Sequence, residues 1–70
     1  MLRNLAAEMV RHGVSRQQLA EKLGISKKSI DNKIRGVRKF SKAEKMAVCQ
    51  ILGMEFDLVE DLLFEQEVSA

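Results

Sequence analysis

Between Ser15 and Gly36 the chain reads SRQQLAEKLGISKKSIDNKIRG, and the punctuation of that stretch leaves few ways to fold it. Gln18 follows Ser15 at the S-x-x-Q spacing of a capping box. In that box the serine oxygen accepts a free N–H of the first helical turn, and the glutamine reaches back to the serine N–H. Leu19, Ala20 and Leu23 then recur on one face at helical spacing. Gly24 comes directly after them, where a helix C-terminus wants a residue that tolerates positive φ. Ser26 supplies a second cap, and Ile30 and Ile34 give the helix behind it a single apolar side. Ala20 is small, as a steep helix crossing requires, and the turn glycine lies four positions on. The expectation is two short helices joined by a tight turn over residues 23–26, the second helix basic: a helix-turn-helix pattern.

The flanking segments are also helical. Leu2, Leu5, Ala6, Met9 and Val10 fall at the three-and-four spacing of a core-facing helix. Arg11 and His12 stand in its last turn, where positive charge suits the helix dipole, and Gly13 ends it. Val14 is placed to pack under the Ser15 cap as a hydrophobic staple against Leu19. Beyond Gly36 a loop is expected through Phe40, with the phenylalanine anchoring it to the core. Ser41 and Glu44 form a second capping box. Val48, Cys49 and Leu52 make the inner face of a fourth helix, with Met46 and Ile51 at its margins, and Gly53 stops it. Asp57 is read as the cap of a fifth helix, with Glu60 three residues on and Phe56, Val59, Leu62 and Leu63 facing inward. Residues 65–70 read as a polar tail.

Proline is absent and 46% of the 70 residues are apolar, enough for one small core and one domain, 1–70. The fold class expected is all-α, a compact bundle of five short helices. No run is long and apolar enough to span a bilayer, and the N-terminus shows no signal-peptide pattern. The single cysteine cannot form an internal disulfide, which fits a reducing compartment. A cytoplasmic protein is expected. Cys49 and His12 have no partners that would make a metal site or a nucleophile–base pair, so core packing and helix capping are their expected roles. No catalytic residue set, cofactor site or small-molecule substrate site is legible.

The formal net charge of +2 conceals a strong polarity. Residues 1–45 hold all twelve bases and four acids, net +8, whereas residues 46–70 hold six acids and no base, net −6. The densest basic run, Lys27 to Lys39, carries six bases against Asp31 alone. Charge runs often do no more than solvate a helix surface. Set on the second helix of this motif, the run points to one face built for a polyanion and another turned away from it.

Residues 14–36, VSRQQLAEKLGISKKSIDNKIRG, resemble the helix-turn-helix of the phage repressor and Cro (XRE-type) family. The likeness continues through Phe40 and the segment FSKAEKMAVCQILGMEFDLVEDLLF, so it covers nearly the whole chain. The resemblance implies a five-helix, lambda-repressor-like domain that binds operator DNA as a transcriptional regulator, encoded by a bacterium, phage or prophage. One departure is visible. Family members often pair an Arg late in helix 1 with a Glu near the end of helix 3, and Met9 and Ile34 stand in those places. An apolar contact can replace a buried ion pair without loss of stability.

By position, Lys27, Lys28 and Asn32 match the family's base-reading residues, with Ser26 and Ser29 as helpers. Lysine can donate to guanine O6 and N7, and asparagine can hold adenine through N6 and N7. A flexible ammonium serves phosphate as readily as guanine, so Asn32 is the foremost candidate for reading sequence. Phosphate contacts are expected at the N-terminus of helix 2, from Arg16 and Gln17, where free N–H groups favour an anion. Arg35, Arg38 and Lys39 are expected to hold the opposite strand. Lys33 is divided between covering the core with its stem and reaching the backbone with its head.

The partner expected is duplex DNA, bound by two copies on half-sites roughly 34 Å apart. Helix 5 has more apolar residues than one inward face can use, Leu58 and Phe64 being left over. A weak homodimer through that helix, strengthened on DNA, is therefore expected. The six acids of residues 46–70 oppose pairing. The alternative is an adaptor, or an antitoxin-like module of the kind some relatives are, whose main partner is another protein.

Overall fold

A computed structural model describes residues 1–64, so the polar tail expected at 65–70 lies outside the described residues. Five helices follow one another: α1 (Arg3–Arg11), α2 (Arg16–Leu23), α3 (Lys27–Arg35), α4 (Lys42–Leu52) and α5 (Phe56–Phe64). No strand occurs among the described residues. The all-α bundle of five short helices is the fold observed. Its Cα radius of gyration is 10.9 Å, close to the value of about 11 Å for a folded chain of this length.

The helix ends form as their residues dictate. Ser15 accepts from the Gln18 N–H at 3.0 Å while the Gln18 side chain accepts from the Ser15 N–H at 2.8 Å, closing the box. Ser41 and Glu44 repeat the arrangement at 3.1 and 2.9 Å. Ser26 caps α3 through the Ser29 N–H. Gly24 lies in the left-handed region at φ 73°, and the next N–H, that of Ile25, donates back to the Ala20 carbonyl. That reversal ends α2 and swings the chain directly into α3. Gly36, at φ 89°, ends α3 the same way, with the Val37 N–H donating to the Asn32 carbonyl.

The core draws on every helix. Leu5 and Met9 enter from α1, Leu19 and Ala20 from α2, Ile30 and Ile34 from α3, Val48, Cys49 and Leu52 from α4, and Leu63 from α5, with Phe40 from the loop. Each large aliphatic side chain fully buried in this way contributes about 1.5–3 kcal/mol. α2 packs on α3 and α4, α1 on α3 and α5, and α4 on α5. Met9 and Ile34 are both buried. A backbone bond adds to their packing: the Leu2 N–H donates to the Ile34 carbonyl at 2.7 Å, seating the end of α3 against the start of α1. Burial raises the Cys49 thiol pKa, with the charge of Glu60 adding to it.

Four expectations about faces and ends are corrected. Val10 is 82% exposed, because α1 buries the line of Leu5 and Met9 and the next residue turns past it. Leu62 faces outward and Phe64 inward, the reverse of the expectation. The Phe64 ring meets the edge of Phe40 at 5.3 Å between centroids, and that contact sets the rotation of α5. Asp57 is not the cap of α5, since the Glu55 carbonyl already accepts the Leu58 and Val59 N–H groups. Asp57 instead sits in the first turn, where an acid still suits the dipole.

Candidate nucleic-acid interface

The helical period sorts α3 into sides. Ile30 and Ile34 go fully into the core. Lys28, Asn32 and Arg35, spaced four and then three residues apart, share a stripe on the opposite side. Beyond Gly36 the loop folds back on this helix: the Val37 and Arg38 N–H groups both donate to the Asn32 carbonyl, at 2.9 and 3.3 Å. Arg38 and Lys39 are thereby held close to the end of the same helix, and both are exposed. Lys28, Arg35, Arg38 and Lys39 make no ion pair among the described residues. They are four uncompensated cations on α3 and the loop that continues it.

Three other cations expected at this face already have anions. Arg16 lies 3.1 Å from the Asp31 carboxylate, and Lys27 reaches its other oxygen at 3.4 Å. The Arg16 guanidinium, with Lys27 beside it, holds the Asp31 carboxyl below its ordinary range. Lys33 is engaged more deeply. Its ammonium is 2.9 Å from Glu44, donates to the Lys39 carbonyl at 3.2 Å and stands 5.8 Å above the Phe40 ring. Only 15% of that side chain is exposed. The division expected for Lys33 thus falls on the structural side, where it ties α3 to α4 and closes the loop. Gln17 donates to Glu21 one turn along α2 and remains exposed.

Of the expected base-reading residues, all on α3, Lys28 and Asn32 share its outward stripe, whereas Lys27 and Ser29 stand about 100° to either side of Lys28. Lys28 is open. Asn32 is half-buried, and its side chain has no hydrogen-bond partner among the described residues, leaving both amide atoms for a ligand. Ser29 receives the Ser26 hydroxyl at 3.1 Å, so its own proton remains to be donated. Lys27 shares Asp31 with Arg16. Asp31 is the residue that sequence reasoning passed over. The four-residue spacing from Lys27 is a legible helix pair, but the fifteen positions to Arg16 are not.

No group of His, Cys, Asp and Glu able to hold a metal occurs among the described residues, and no described helix is long and apolar enough to cross a membrane. Chemically, the arrangement offers a row of ammonium and guanidinium groups beside one amide. Such a row can bind phosphates along a backbone and present a bidentate group to a base edge. Comparison with protein-family models, with curated proteins and with solved structures finds no match to this chain, so the reading of its function rests on its own residues.

Proposed function

We propose that this chain binds duplex DNA in a sequence-dependent way through α2 and α3, acting as a transcriptional regulator of the repressor and Cro (XRE) type its sequence resembles. The supporting observation is the stripe of Lys28, Asn32 and Arg35 continued by Arg38 and Lys39, whose cations make no ion pair among the described residues. α3 enters the major groove with its N-terminal half towards the bases. Asn32 reads an adenine, Lys28 contributes at a guanine or a phosphate, and Ser29 donates as a helper. Arg35, Arg38 and Lys39 hold one strand, while the N-terminus of α2, with Arg16 and Gln17, meets the other. Lys33 drops out of the phosphate set, being committed to Glu44. The setting proposed is the bacterial cytoplasm, with the gene of phage or prophage type.

One helix reads only a few base pairs, so two copies bind together in this proposal. Leu58 and Leu62, 80% and 52% exposed and one turn apart on α5, are the surface for pairing. The acids around them keep pairing weak until DNA aligns the copies. The same two leucines favour the second reading, an adaptor or antitoxin-like module that holds another protein on this face. Titration of a fluorescent duplex separates the readings. Simultaneous Arg35→Gln, Arg38→Gln and Lys39→Gln substitution is expected to remove binding while leaving the fold intact. Undiminished binding, or none by the wild type, would contradict the DNA reading. Sedimentation at saturation is expected to give two protein copies per duplex, and strictly one would contradict pairing.

A further inference from the structure

Asp31 is the only acid between Lys27 and Lys39, and it lies on α3, the helix proposed to enter the groove. Its two oxygens divide between two elements: Oδ1 takes Arg16 from the start of α2 at 3.1 Å, and Oδ2 takes Lys27 from the start of α3 at 3.4 Å. The three side chains are 35%, 29% and 55% exposed for Arg16, Asp31 and Lys27. The cluster therefore sits at the surface, where a phosphate can reach it. We propose that Asp31 is a specificity-determining residue that competes with phosphate for Arg16 and Lys27 and so weakens binding to arbitrary duplexes, a role that rests on the duplex-binding reading above.

The physical case is one of competition. Non-specific affinity for DNA is almost wholly the electrostatic gain of cations on phosphates, and every cation occupied by a protein carboxylate contributes less to it. An exposed ion pair is weak, so each of these two contacts is overcome at a cost of roughly two- to fivefold in affinity. The two together amount to about tenfold on a duplex held by phosphates alone, which draws on both cations. On a matched site the base contacts fix the register of α3, so that Lys27 stays on the carboxylate and only Arg16 turns to phosphate, at a cost of about threefold or less. The carboxylate also repels phosphate directly, and it leaves Lys28, Arg35, Arg38 and Lys39 to supply the basal attraction. The effect is to lower affinity everywhere while lowering it least at the preferred site, which is discrimination by repulsion as well as attraction.

The test uses the full chain with two probes, a random-sequence duplex and a duplex recovered from a randomised pool by repeated selection on wild-type protein. Asp31→Asn keeps the shape and removes the charge. Asp31→Ser is the second variant, and thermal unfolding checks that each is folded. On the random duplex, Asp31→Asn is expected to bind about tenfold more tightly, with a log affinity against log salt slope steeper by about one to two. On the selected duplex the gain is expected to be about threefold or less, so the ratio between the two falls. In an Arg16→Gln, Lys27→Gln background, Asp31→Asn is expected to change random-duplex affinity by less than twofold. A gain that persists in full in that background would overturn the proposal, because removing any nearby negative charge would then suffice. No gain, or weaker binding by folded Asp31 variants, would overturn it as well. The latter would make Asp31 a support that aims Arg16 at DNA. Failure of the wild type to bind either duplex would overturn the duplex reading itself and this proposal with it.

Discussion

α3 and α5 are both nine-residue helices that feed the same core, yet they turn opposite chemistry outward. α3 commits two isoleucines to the interior and presents lysine, asparagine and arginine. α5 commits Leu63, leans Phe56, Val59 and Phe64 against the core, and presents Leu58, Leu62, Asp57 and Asp61. Core formation alone does not require such polarity, because an outward face of mixed charges would solvate either helix equally well. Under the proposed function, outward cations of α3 and its loop that make no ion pair among the described residues, and an acidic side with spare leucines, would be the two sides of a molecule that meets a polyanion in one orientation.

The largest test of this contrast lies in the interior of α3. Ile34→Glu is expected to destabilise the domain by about 3–5 kcal/mol, because it buries a charge without a partner where the native side chain has no exposure. Chemical denaturation reads this directly, and an unfolding midpoint like that of the wild type would place α3 in another rotation. Next comes the orientation of α5. Leu63→Ala is expected to cost about 2–5 kcal/mol, whereas Leu62→Ala, one residue away and half exposed, should cost no more than about 0.5 kcal/mol. Equal losses would mean that both leucines are buried and that the outward apolar face does not exist.

On the outward side of α3, Asn32→Ala is expected to cost about 1–3 kcal/mol on the preferred duplex and to relax choice at one base pair. Random duplexes should be bound as before, and parallel titrations on both would reveal a uniform loss if Asn32 only touched phosphate. The smallest effect concerns the seam where Lys33 of α3 meets Glu44 of α4. The Ser41 backbone N–H and then the Lys33 ammonium hold the Glu44 carboxyl below its ordinary value of 4.5. A carboxylate whose pKa is lowered on folding stabilises above its unfolded value and loses that contribution as pH falls through the folded one. Stability should therefore decline as the pH drops below about 4.5, and Glu44→Gln should flatten that decline at a cost of about 1 kcal/mol near neutrality. An unchanged pH profile in the variant would remove Glu44 from the seam.

How much of this was legible in the sequence differs along the same contrast. α3 was readable because its only apolar residues, Ile30 and Ile34, stand four apart between a serine and a glycine, so one rotation buries them. α5 was not. Phe56, Leu58, Val59, Leu62, Leu63 and Phe64 spread over most of its circumference, and hydrophobic period cannot choose among rotations that each bury several of them. The choice is made by a ring from elsewhere, Phe40, against which Phe64 fits edge-on. Val10 was misplaced for a related reason: its period is right, but α1 buries a narrower strip than the period allows. The site shows the same limit. Which residues are cationic could be read off, but not which of them are free. That depends on acids delivered across the fold, Asp31 to Arg16 over fifteen positions and Glu44 to Lys33 over eleven.

The basic side of α3 as a DNA-binding face is tested most directly by the salt dependence of wild-type affinity for a single short duplex. The four cations that make no ion pair among the described residues, with the N-terminus of α2, would neutralise roughly five phosphates per protein copy, giving a log affinity against log salt slope near −4.5 per copy at about −0.9 for each phosphate. A slope near zero, or no measurable binding at low salt, would contradict it.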